Sequence, residues 1–193
     1  VDKLDYCANV NNVHKTNDAT RYVFIHHTIC DSSKMLYFLN HYNITHVVHF
    51  AAQSHVDTSF EQGLDYTMDN VYGTHCLLDA ARKYGNLERF IHFSTDEVYG
   101  ESKNDDKFDE MSILCPTNPY SASKAGAEML VNSYIHSFNL PCIITRGNNV
   151  YGPNQYHEKL VPRFIKLLDE SKKMTIHGKG DSQRSFIHVD DVC

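Results

Sequence analysis

The feature that most constrains how this chain folds is a regular alternation of short apolar runs and longer amphipathic segments. Short runs rich in Val, Ile and Phe between turn residues are typical of strands buried on both faces. The predicted strands are 22–26, 46–50, 89–94, 142–145 and 174–177. The predicted helices are 31–42, 66–84, 119–138 and 159–170. Because strands and helices alternate, we predict an α/β fold with a doubly wound parallel sheet.

Local residues mark the ends of the predicted helices. Asp31 precedes the first helix and is suited to accept a hydrogen bond from its first turn. Pro119 is tolerated in a first helical turn, and Gly85 can take the left-handed conformation that follows a helix end. On the helix 66–84 we expect a single apolar face that consists of Met68, Val71, Leu78 and Ala81.

Charge and composition exclude several kinds of partner. The chain has 193 residues, of which 41% are hydrophobic and 22% charged, as in ordinary globular proteins. Its formal net charge of -6, without a Lys/Arg-rich run, gives no field that would attract a nucleic-acid backbone. No apolar run is long enough to span a bilayer. We therefore expect neither nucleic-acid binding nor membrane insertion.

Six cysteines and 13 histidines raise the questions of disulfides and metal ions. An even number of cysteines allows disulfides, but these are widely spaced and form no CxxC pair. We therefore expect buried free thiols and a reducing, cytoplasmic location. No HExxH or paired Cys/His spacing occurs, so we predict no metal site.

Polar or small residues follow three of the predicted strands, in the segments 51–57, 94–100 and 146–153. In parallel α/β sheets, ligands bind outside the carboxyl ends of the strands. Polar groups from several strand ends would therefore meet at one edge of the sheet. We predict the functional site at that edge.

A tyrosine and a lysine near the start of the helix 119–138 add a candidate base. Tyr120 and Lys124 are four residues apart and share one helical face. A nearby ammonium favours the phenolate, so we expect Lys124 to lower the pKa of Tyr120. A chance YxxxK pattern on a solvated helix is the alternative.

Tyr120 and Lys124, with Ser94 and Thr95 before them, resemble the active site of the extended short-chain dehydrogenases/reductases. The string from Ser94 to Gly100, STDEVYG, is similar to that of sugar-nucleotide 4,6-dehydratases acting on dTDP-glucose or UDP-glucose. The resemblance covers essentially the whole chain. It implies a Rossmann-like NAD-binding domain over 1–150 and the start of a substrate-binding region over 151–193. The family's glycine-rich cofactor loop would precede Val1, so we expect a fragment of a longer protein that lacks its first β-α unit.

The resemblance also implies a mechanism. Tyr120 removes the proton from the sugar 4-hydroxyl, which Thr95 hydrogen-bonds, while hydride passes from C4 to NAD⁺. Glu97 then takes the C5 proton, Asp96 protonates the departing 6-hydroxyl, and hydride returns to C6. Adjacent carboxyls can hold different protonation states when burial keeps one of them neutral. A surface acidic pair in a turn is the alternative.

Binding residues follow from the same resemblance. The implied NAD contacts are Asp2, Lys3, Leu4, Thr28, Ile29, Phe50, Ala51, Ala52, Ser54, Tyr120 and Lys124. The implied contacts to the nucleotide sugar are Ser54, Thr95, Asn149, Lys159, Leu160, Thr175, His177 and Arg184. A carboxylate at position 2 favours NAD over NADP, whose 2′-phosphate it would repel. Lys159 and Arg184 suit a pyrophosphate, although solvated surface charges are the alternative.

Several alternatives remain open at this point. A C4 epimerase or decarboxylase shares the fold, but members of those families lack the acidic pair at positions 96 and 97. A non-catalytic remnant that binds sugar nucleotides or a partner chain is another alternative. Family members are usually homodimers, which would pair here through the helices 66–84 and 119–138. The sequence leaves open whether the substrate is dTDP-glucose or UDP-glucose, and 6-deoxyhexoses such as rhamnose are the expected destination.

Overall fold

The computed structural model describes residues 1–16, 21–101, 107–176, 178–180 and 183–193. For residues 14–16 it describes the backbone only. The described chain forms two compact units. The first unit comprises Val1–Lys3 and Phe24–Gly147. The second unit comprises Leu4–Val23 and Asn148–Cys193. The domain division at residue 150 stays a prediction.

A parallel sheet with strand order β1-β2-β3 forms the centre of the first unit. Its strands are β1 (His46–His49), β2 (Arg89–Thr95) and β3 (Cys142–Gly147). On the core-facing side, Phe90 pairs with Val47 and Cys142, and the next row consists of His49, His92 and Ile144. The predicted parallel α/β fold is confirmed.

Helices join these strands and bury their apolar faces against the sheet and one another. They are α1 (Ser32–His41), α2 (Val56–Glu61), α3 (Gly63–Tyr66), a π-helical segment (Thr67–Tyr72), α4 (Gly73–Tyr84) and α5 (Pro119–Phe138). A short 3₁₀ helix, Asp96–Tyr99, follows β2 directly. The core consists of Met35, Leu39, Leu77, Leu78, Ala80, Ala81, Phe90, Val131, Tyr134 and Leu140.

The predicted helix ends are confirmed by their hydrogen bonds. The Asp31 side chain accepts a hydrogen bond from the Lys34 amide at the start of α1. At the end of α4, Gly85 has φ 75°, and its amide donates to the Ala81 carbonyl. Asn118 caps α5, and Pro119 occupies the first turn.

The predicted single apolar face on 66–84 is wrong at one position. Leu78 and Ala81 are fully buried, but Met68 is 50% exposed. Met68 lies in the π-helical segment, whose wider turns hold more residues than α-helical turns. The helical phase therefore changes between Met68 and the residues of α4.

Two predicted strands do not form as ladders. Within 22–26 the structure has only a single bridge between His26 and Asp2. Residues 174–176 have no strand structure, and His177 lies outside the described residues. In both places an apolar run lacks a neighbouring strand along its length, and pairing rather than propensity decides whether a strand forms.

The second unit contains a small parallel pair of strands and two α-helices. Its elements are a 3₁₀ helix (Val10–Thr16), β4 (Asn149–Tyr151), α6 (Leu160–Asp169), β5 (Phe186–His188) and α7 (Val189–Val192). The predicted helix 159–170 is confirmed, with Lys159 and Glu170 at its capping positions. Leu160, Ile165 and Leu168 of α6 are exposed.

All six cysteines are free thiols. The expectation that they are buried is correct only in part. Cys76 is buried and Cys30 and Cys142 are half-buried, whereas Cys7, Cys115 and Cys193 are exposed. Among the described residues, no helix is long and apolar enough to cross a membrane.

Candidate active site

Exposed residues follow the carboxyl end of β1 and lie next to the half-buried Phe93 of β2. Phe50, just after β1, is 65% exposed, and its ring centroid lies 4.1 Å from that of Phe93 in β2. Ala51, Ala52 and Ser54 follow it and are exposed. This edge of the first unit therefore presents an aromatic surface and small side chains.

The acidic pair lies in a turn at the end of β2. Thr95 is buried, and its hydroxyl accepts a hydrogen bond of 3.2 Å from the Glu97 amide. The same hydroxyl lies 3.3 Å from an Asp96 carboxylate oxygen, to which it donates. Both carboxyl side chains are half-buried. Thr95 thus fixes the backbone that carries both acids.

Tyr120 lies in the first turn of α5, and its pKa differs from the expectation based on the sequence. Burial, together with the Glu97 and Asp96 carboxylates, raises the pKa of Tyr120 to about 12, although a hydrogen bond with Thr95 acts in the opposite direction. The expected lowering of this pKa by Lys124 is therefore wrong for the chain by itself. The reason is that desolvation and the two carboxylates disfavour the phenolate.

Lys124 is 5% exposed and lies one helical turn after Tyr120 on α5. Its Nζ donates a 2.6 Å hydrogen bond to the Phe93 carbonyl of β2. Burial lowers the pKa of Lys124 to about 8, while Glu128 acts against this lowering. Lys124 is thus fixed close to the carboxyl end of β2, the strand that ends at Thr95.

Asn70 is a site residue that sequence reasoning missed. It lies in the π-helical segment, is 1% exposed, and its side chain binds the backbone of Gln53 on both sides. The Gln53 amide donates to Asn70 Oδ1 at 2.7 Å, and Asn70 Nδ2 donates to the Gln53 carbonyl at 3.0 Å. Asn70 Nδ2 also donates to Ser123 Oγ at 2.8 Å. No sequence signal singles it out, because its neighbours Thr67 and Asp69 are also polar.

The preceding residue, Asp69, extends this network towards the start of the chain. Lys3 Nζ and Gln53 Nε2 both donate to Asp69 Oδ2, at 2.5 Å and 2.8 Å. Asp2 is exposed, and its backbone is held by hydrogen bonds of 3.1 Å with Ile25 and His27. The strand-end loop and the first residues of the chain are therefore joined within the first unit.

The remaining predicted cofactor contacts are placed as follows. Thr28 and Ile29 are half-buried just before α1, and Ile29 packs against the core. Leu4 is exposed with φ 55° and belongs to the second unit. The structure therefore brings Asp2 and Lys3, the strand-end residues, Tyr120 and Lys124 into one unit.

The predicted substrate contacts outside Ser54 and Thr95 lie in the second unit. Asn149 begins β4, and Leu160 begins α6 after Lys159. Arg184 and Thr175 are exposed. The Glu158 carboxylate in this unit accepts a 3.0 Å hydrogen bond from the Tyr6 hydroxyl and lies 3.9 Å from Lys159 Nζ. His177 lies outside the described residues.

Two buried histidines lie under the site and were not predicted. The ring centroids of His49 and His92 are 5.2 Å apart. His49 Nε2 donates to Thr74 Oγ1 at 2.8 Å, because the Thr74 hydroxyl itself donates to the Asn70 carbonyl. Burial lowers the pKa of His49 to about 3 and that of His92 to about 2, and Lys124 adds to both effects. Both rings are therefore neutral at physiological pH.

Known proteins resemble this chain along its whole length. It is 50% identical over 194 residues to an Arabidopsis thaliana protein named trifunctional UDP-glucose 4,6-dehydratase/UDP-4-keto-6-deoxy-D-glucose 3,5-epimerase/UDP-4-keto-L-rhamnose-reductase, a match covering 100% of this chain and 29% of the relative. It is also 50% identical over 194 residues to the dTDP-D-glucose 4,6-dehydratase of Mus musculus, covering 100% of this chain and 54% of the relative. The chain thus spans about half or less of the length of these curated relatives.

A solved structure gives the same result for the fold. The crystal structure of dTDP-glucose 4,6-dehydratase from Streptomyces venezuelae with NAD and TYD bound matches with a TM-score of 0.94 and 38% identity, covering 99% of this chain and 58% of that chain. The Rossmann-like fold and the resemblance to sugar-nucleotide 4,6-dehydratases are thereby confirmed. A sequence profile described as GDP-mannose 4,6 dehydratase matches residues 1–193, and the chain therefore belongs to that family.

Proposed function

We propose that the protein is an NAD-dependent sugar-nucleotide 4,6-dehydratase that converts dTDP-glucose or UDP-glucose into the nucleotide-linked 4-keto-6-deoxyglucose. The observation that carries this proposal is geometric: Asn118 caps the helix that bears Tyr120 and also donates a 3.3 Å hydrogen bond to Glu97, which places the acidic pair beside the tyrosine within one unit. In this position the two carboxylates help to raise the pKa of Tyr120. A tyrosine for oxidation and an acidic pair for elimination are the groups that this reaction needs. The names of the similar proteins, UDP-glucose and dTDP-D-glucose 4,6-dehydratase, support it.

The strand-end residues fit a dinucleotide. Exposed Phe50 and the small residues Ala51 and Ala52 offer a flat surface on which a cofactor can lie. The Asp2 carboxylate and the Lys124 ammonium are suited to hydroxyl groups of the two riboses. When bound, NAD⁺ accepts the hydride from C4 and returns it to C6.

Tyr120 is proposed to exchange the proton of the sugar 4-hydroxyl at its Oη. Because burial keeps its pKa high, Tyr120 is a neutral phenol in the chain by itself. It would have to release its own proton to solvent, favoured by the positive charge of Lys124 and of a bound cofactor, before the phenolate can accept the 4-hydroxyl proton. Thr95, which is buried at the end of β2 beside the acidic pair, is suited to orient the 4-oxygen. Lys124 carries a positive charge below about pH 8 and is held at Phe93, so it orients the ribose and supports the phenolate.

Asp96 and Glu97 are proposed to perform the elimination. Once C4 is a ketone, the proton on C5 becomes acidic, and the Glu97 carboxylate takes it. The C6–O bond breaks as Asp96 donates a proton to the departing hydroxyl, which leaves as water. When hydride adds to C6, Glu97 would return the proton to C5, which completes the 4-keto-6-deoxy sugar. Both acids lie in the short 3₁₀ helix that Thr95 caps, and this helix fixes the positions of their backbones.

The second unit is proposed to hold the nucleotide part of the substrate. Lys159 and Arg184 are cations suited to a pyrophosphate. Asn149 and Thr175 can hydrogen-bond polar groups of the substrate, and Leu160 offers an exposed apolar contact. The relatives named for dTDP-glucose and for UDP-glucose support both nucleotides equally, since the identities are the same.

We also propose that the protein is a cytoplasmic homodimer. Its free thiols support a reducing compartment. Exposed Leu64 and Met68 near the π-helical segment and Met129 on α5 supply apolar area for a second copy.

The experiment that tests the function uses the full-length protein with NAD⁺ and either dTDP-glucose or UDP-glucose, followed by mass spectrometry. We expect a product that has lost one water from at least one substrate, and the faster substrate identifies the preferred nucleotide. An isomer of unchanged mass that chromatography separates from the substrate would indicate an epimerase. Loss of CO₂ in a parallel incubation with a nucleotide-linked uronate would indicate a decarboxylase. NAD⁺ that fails to bind would favour the non-catalytic alternative.

A further inference from the structure

The turn that carries the acidic pair is held on two sides by residues outside the site described above. This acidic turn comprises Asp96–Tyr99 and ends at Gly100, which has φ 83°. A Cβ at position 100 would clash with the Cys115 carbonyl, and the Cys115 amide donates to the Val98 carbonyl at 2.9 Å. The backbone of the turn is thus closely packed. In addition to Thr95, two side-chain contacts hold the turn in place.

The first contact is made by Tyr99. Arg146 Nη1 donates a 2.8 Å hydrogen bond to the Tyr99 hydroxyl, and the guanidinium carbon lies 4.9 Å from the ring centroid. Arg146 is itself fixed, because its Nε and Nη2 donate to the fully buried carboxylate of Glu128 at distances of 2.7 to 3.2 Å. Phe108 stacks on the Tyr99 ring at 5.0 Å. A buried ion pair therefore anchors the end of the acidic turn.

The second contact is made by Asn118. Its Nδ2 donates to Glu97 Oε2 at 3.3 Å, while its Oδ1 accepts from the Ser121 amide at 2.8 Å. One side chain therefore caps α5, the helix that carries Tyr120 and is called the tyrosine helix below, and also holds the Glu97 carboxylate of the acidic turn. Neither of these contacts touches the Tyr120 or Lys124 side chain, which are fixed by their own burial on α5.

We propose that Tyr99 and Asn118 are positioning residues for the elimination half of the reaction, holding Asp96 and Glu97 in place without serving the oxidation at C4. This inference rests on the proposed 4,6-dehydratase function. Its physical basis is that both contacts end on the acidic turn, so their loss leaves Tyr120 and Lys124 in place while the two carboxyls gain freedom to move.

The test uses single turnovers of the full-length protein with NAD⁺ and the substrate that wild type dehydrates. The near-ultraviolet absorbance of the reduced cofactor rises with oxidation and falls when hydride returns after elimination. The variants are Tyr99→Phe, which removes one hydroxyl and leaves the Glu128–Arg146 pair, and Asn118→Ser, which keeps a helix-capping residue. The matched control is Tyr37→Phe, at an exposed tyrosine on α1.

We expect Tyr99→Phe and Asn118→Ser to slow the fall of absorbance about 10-fold, consistent with a lost hydrogen bond to a charged group, while the rise changes by a much smaller factor because Tyr120 and Lys124 stay in place. Hydrogen exchange of the amides 96–100, measured without substrate, should become faster in Tyr99→Phe and stay unchanged in Tyr37→Phe.

If the rise and the fall of absorbance slow by the same factor, the contacts serve the whole site and the inference is overturned. If neither the two rates nor the hydrogen exchange of the amides 96–100 changes, the contacts position nothing and the inference is likewise overturned. Wild-type protein that releases no dehydrated product would overturn the proposed function and the inference with it. Wild type that dehydrates its substrate, with Tyr99→Phe keeping the wild-type ratio of rates, overturns the inference alone.

Discussion

The tyrosine helix and the acidic turn sit side by side in the first unit but are held in place by different means. Tyr120 and Lys124 lie on a 20-residue helix, where spacing alone puts them on one face. Asp96 and Glu97 lie on a short turn whose position depends on contacts with residues 21 and 47 positions away along the chain, namely Asn118 just before α5 and Arg146 in β3. One half of the site is therefore local in sequence, and the other is assembled by tertiary structure.

This difference also appears in the electrostatics. The tyrosine helix is strongly desolvated, which raises the pKa of Tyr120 to about 12 and lowers that of Lys124 to about 8. The acidic turn is only half-buried. Desolvation therefore sets the proton affinity of the proposed oxidising pair, whereas hydrogen bonds and packing set the geometry of the proposed eliminating pair. Substitutions in the tyrosine helix should therefore impair the oxidation, and substitutions in the acidic turn should impair the elimination.

The largest effect is expected from Tyr120→Phe. Removal of the phenol hydroxyl eliminates the proposed base for oxidation, so turnover should fall roughly 10⁴-fold, the upper range for general acid–base catalysis. No reduced cofactor should accumulate, since the reaction stops before hydride transfer. The control is Tyr134→Phe on the same helix, which should keep wild-type turnover. Equal losses in the two variants would show that the effect lies in helix packing.

A somewhat smaller loss is expected from Glu97→Gln, which keeps the shape of the side chain and removes its basicity. Overall turnover should fall roughly 10³-fold. In contrast to Tyr120→Phe, oxidation should continue, so reduced cofactor should build up and be visible by absorbance. Glu61→Gln on α2 is the control, because Glu61 is exposed and distant in sequence from both halves. A Glu97→Gln variant that releases product normally would remove the acidic turn from the mechanism.

The link between the two halves is expected to appear in stability. Arg146→Ala leaves the fully buried Glu128 carboxylate without its ion-pair partner, which should lower the free energy of unfolding by about 3–5 kcal/mol. Urea denaturation monitored by circular dichroism measures this change. Arg82→Ala breaks a more exposed pair with Asp79 and should cost about 0–1 kcal/mol. Similar losses in both variants would contradict the structural role of the buried pair.

The smallest effect concerns the pH dependence of stability caused by Lys124. Its pKa is about 8 in the folded protein and 10.5 unperturbed, so between these pH values the unfolded chain binds more protons. Stability should therefore increase as pH rises through this window, as a burial penalty of about 3 kcal/mol disappears. The difference in unfolding free energy between wild type and Lys124→Met isolates this term, because the titration of Tyr120 is common to both proteins. A difference that is constant with pH would show that Lys124 is not desolvated.

Much of the fold could be predicted from the sequence because its signals are local. The Pro119–Phe138 helix has a capping residue before it and a proline in its first turn, and the strand around Phe90 is rich in apolar and aromatic residues. The segment 22–26 looked equally strand-like but lacks a partner along most of its length. Strand formation there depends on pairing, which an apolar run by itself cannot reveal.

The candidate site could be predicted only as far as its residues form motifs. Tyr120, Lys124 and the acidic pair were found in this way. The raised pKa of Tyr120 could not be predicted, because it results from burial and from carboxylates 23 and 24 positions earlier in the chain. The hydrogen bonds between the Asn70 side chain and the Gln53 backbone depend on a π-helical segment, which the hydrophobic periodicity of the sequence does not indicate. Contacts of this kind exist only after the helices have packed.

The central claim, that one site first oxidises C4 and then eliminates water across C5 and C6, is tested most directly with a substrate deuterated at C4. The full-length protein is incubated with NAD⁺ and the C4-deuterated nucleotide sugar, and the product is analysed by mass spectrometry and NMR. We predict a product that has lost one water and carries the deuterium at C6. A product that keeps its full mass, or a dehydrated product without deuterium at C6, would contradict this claim.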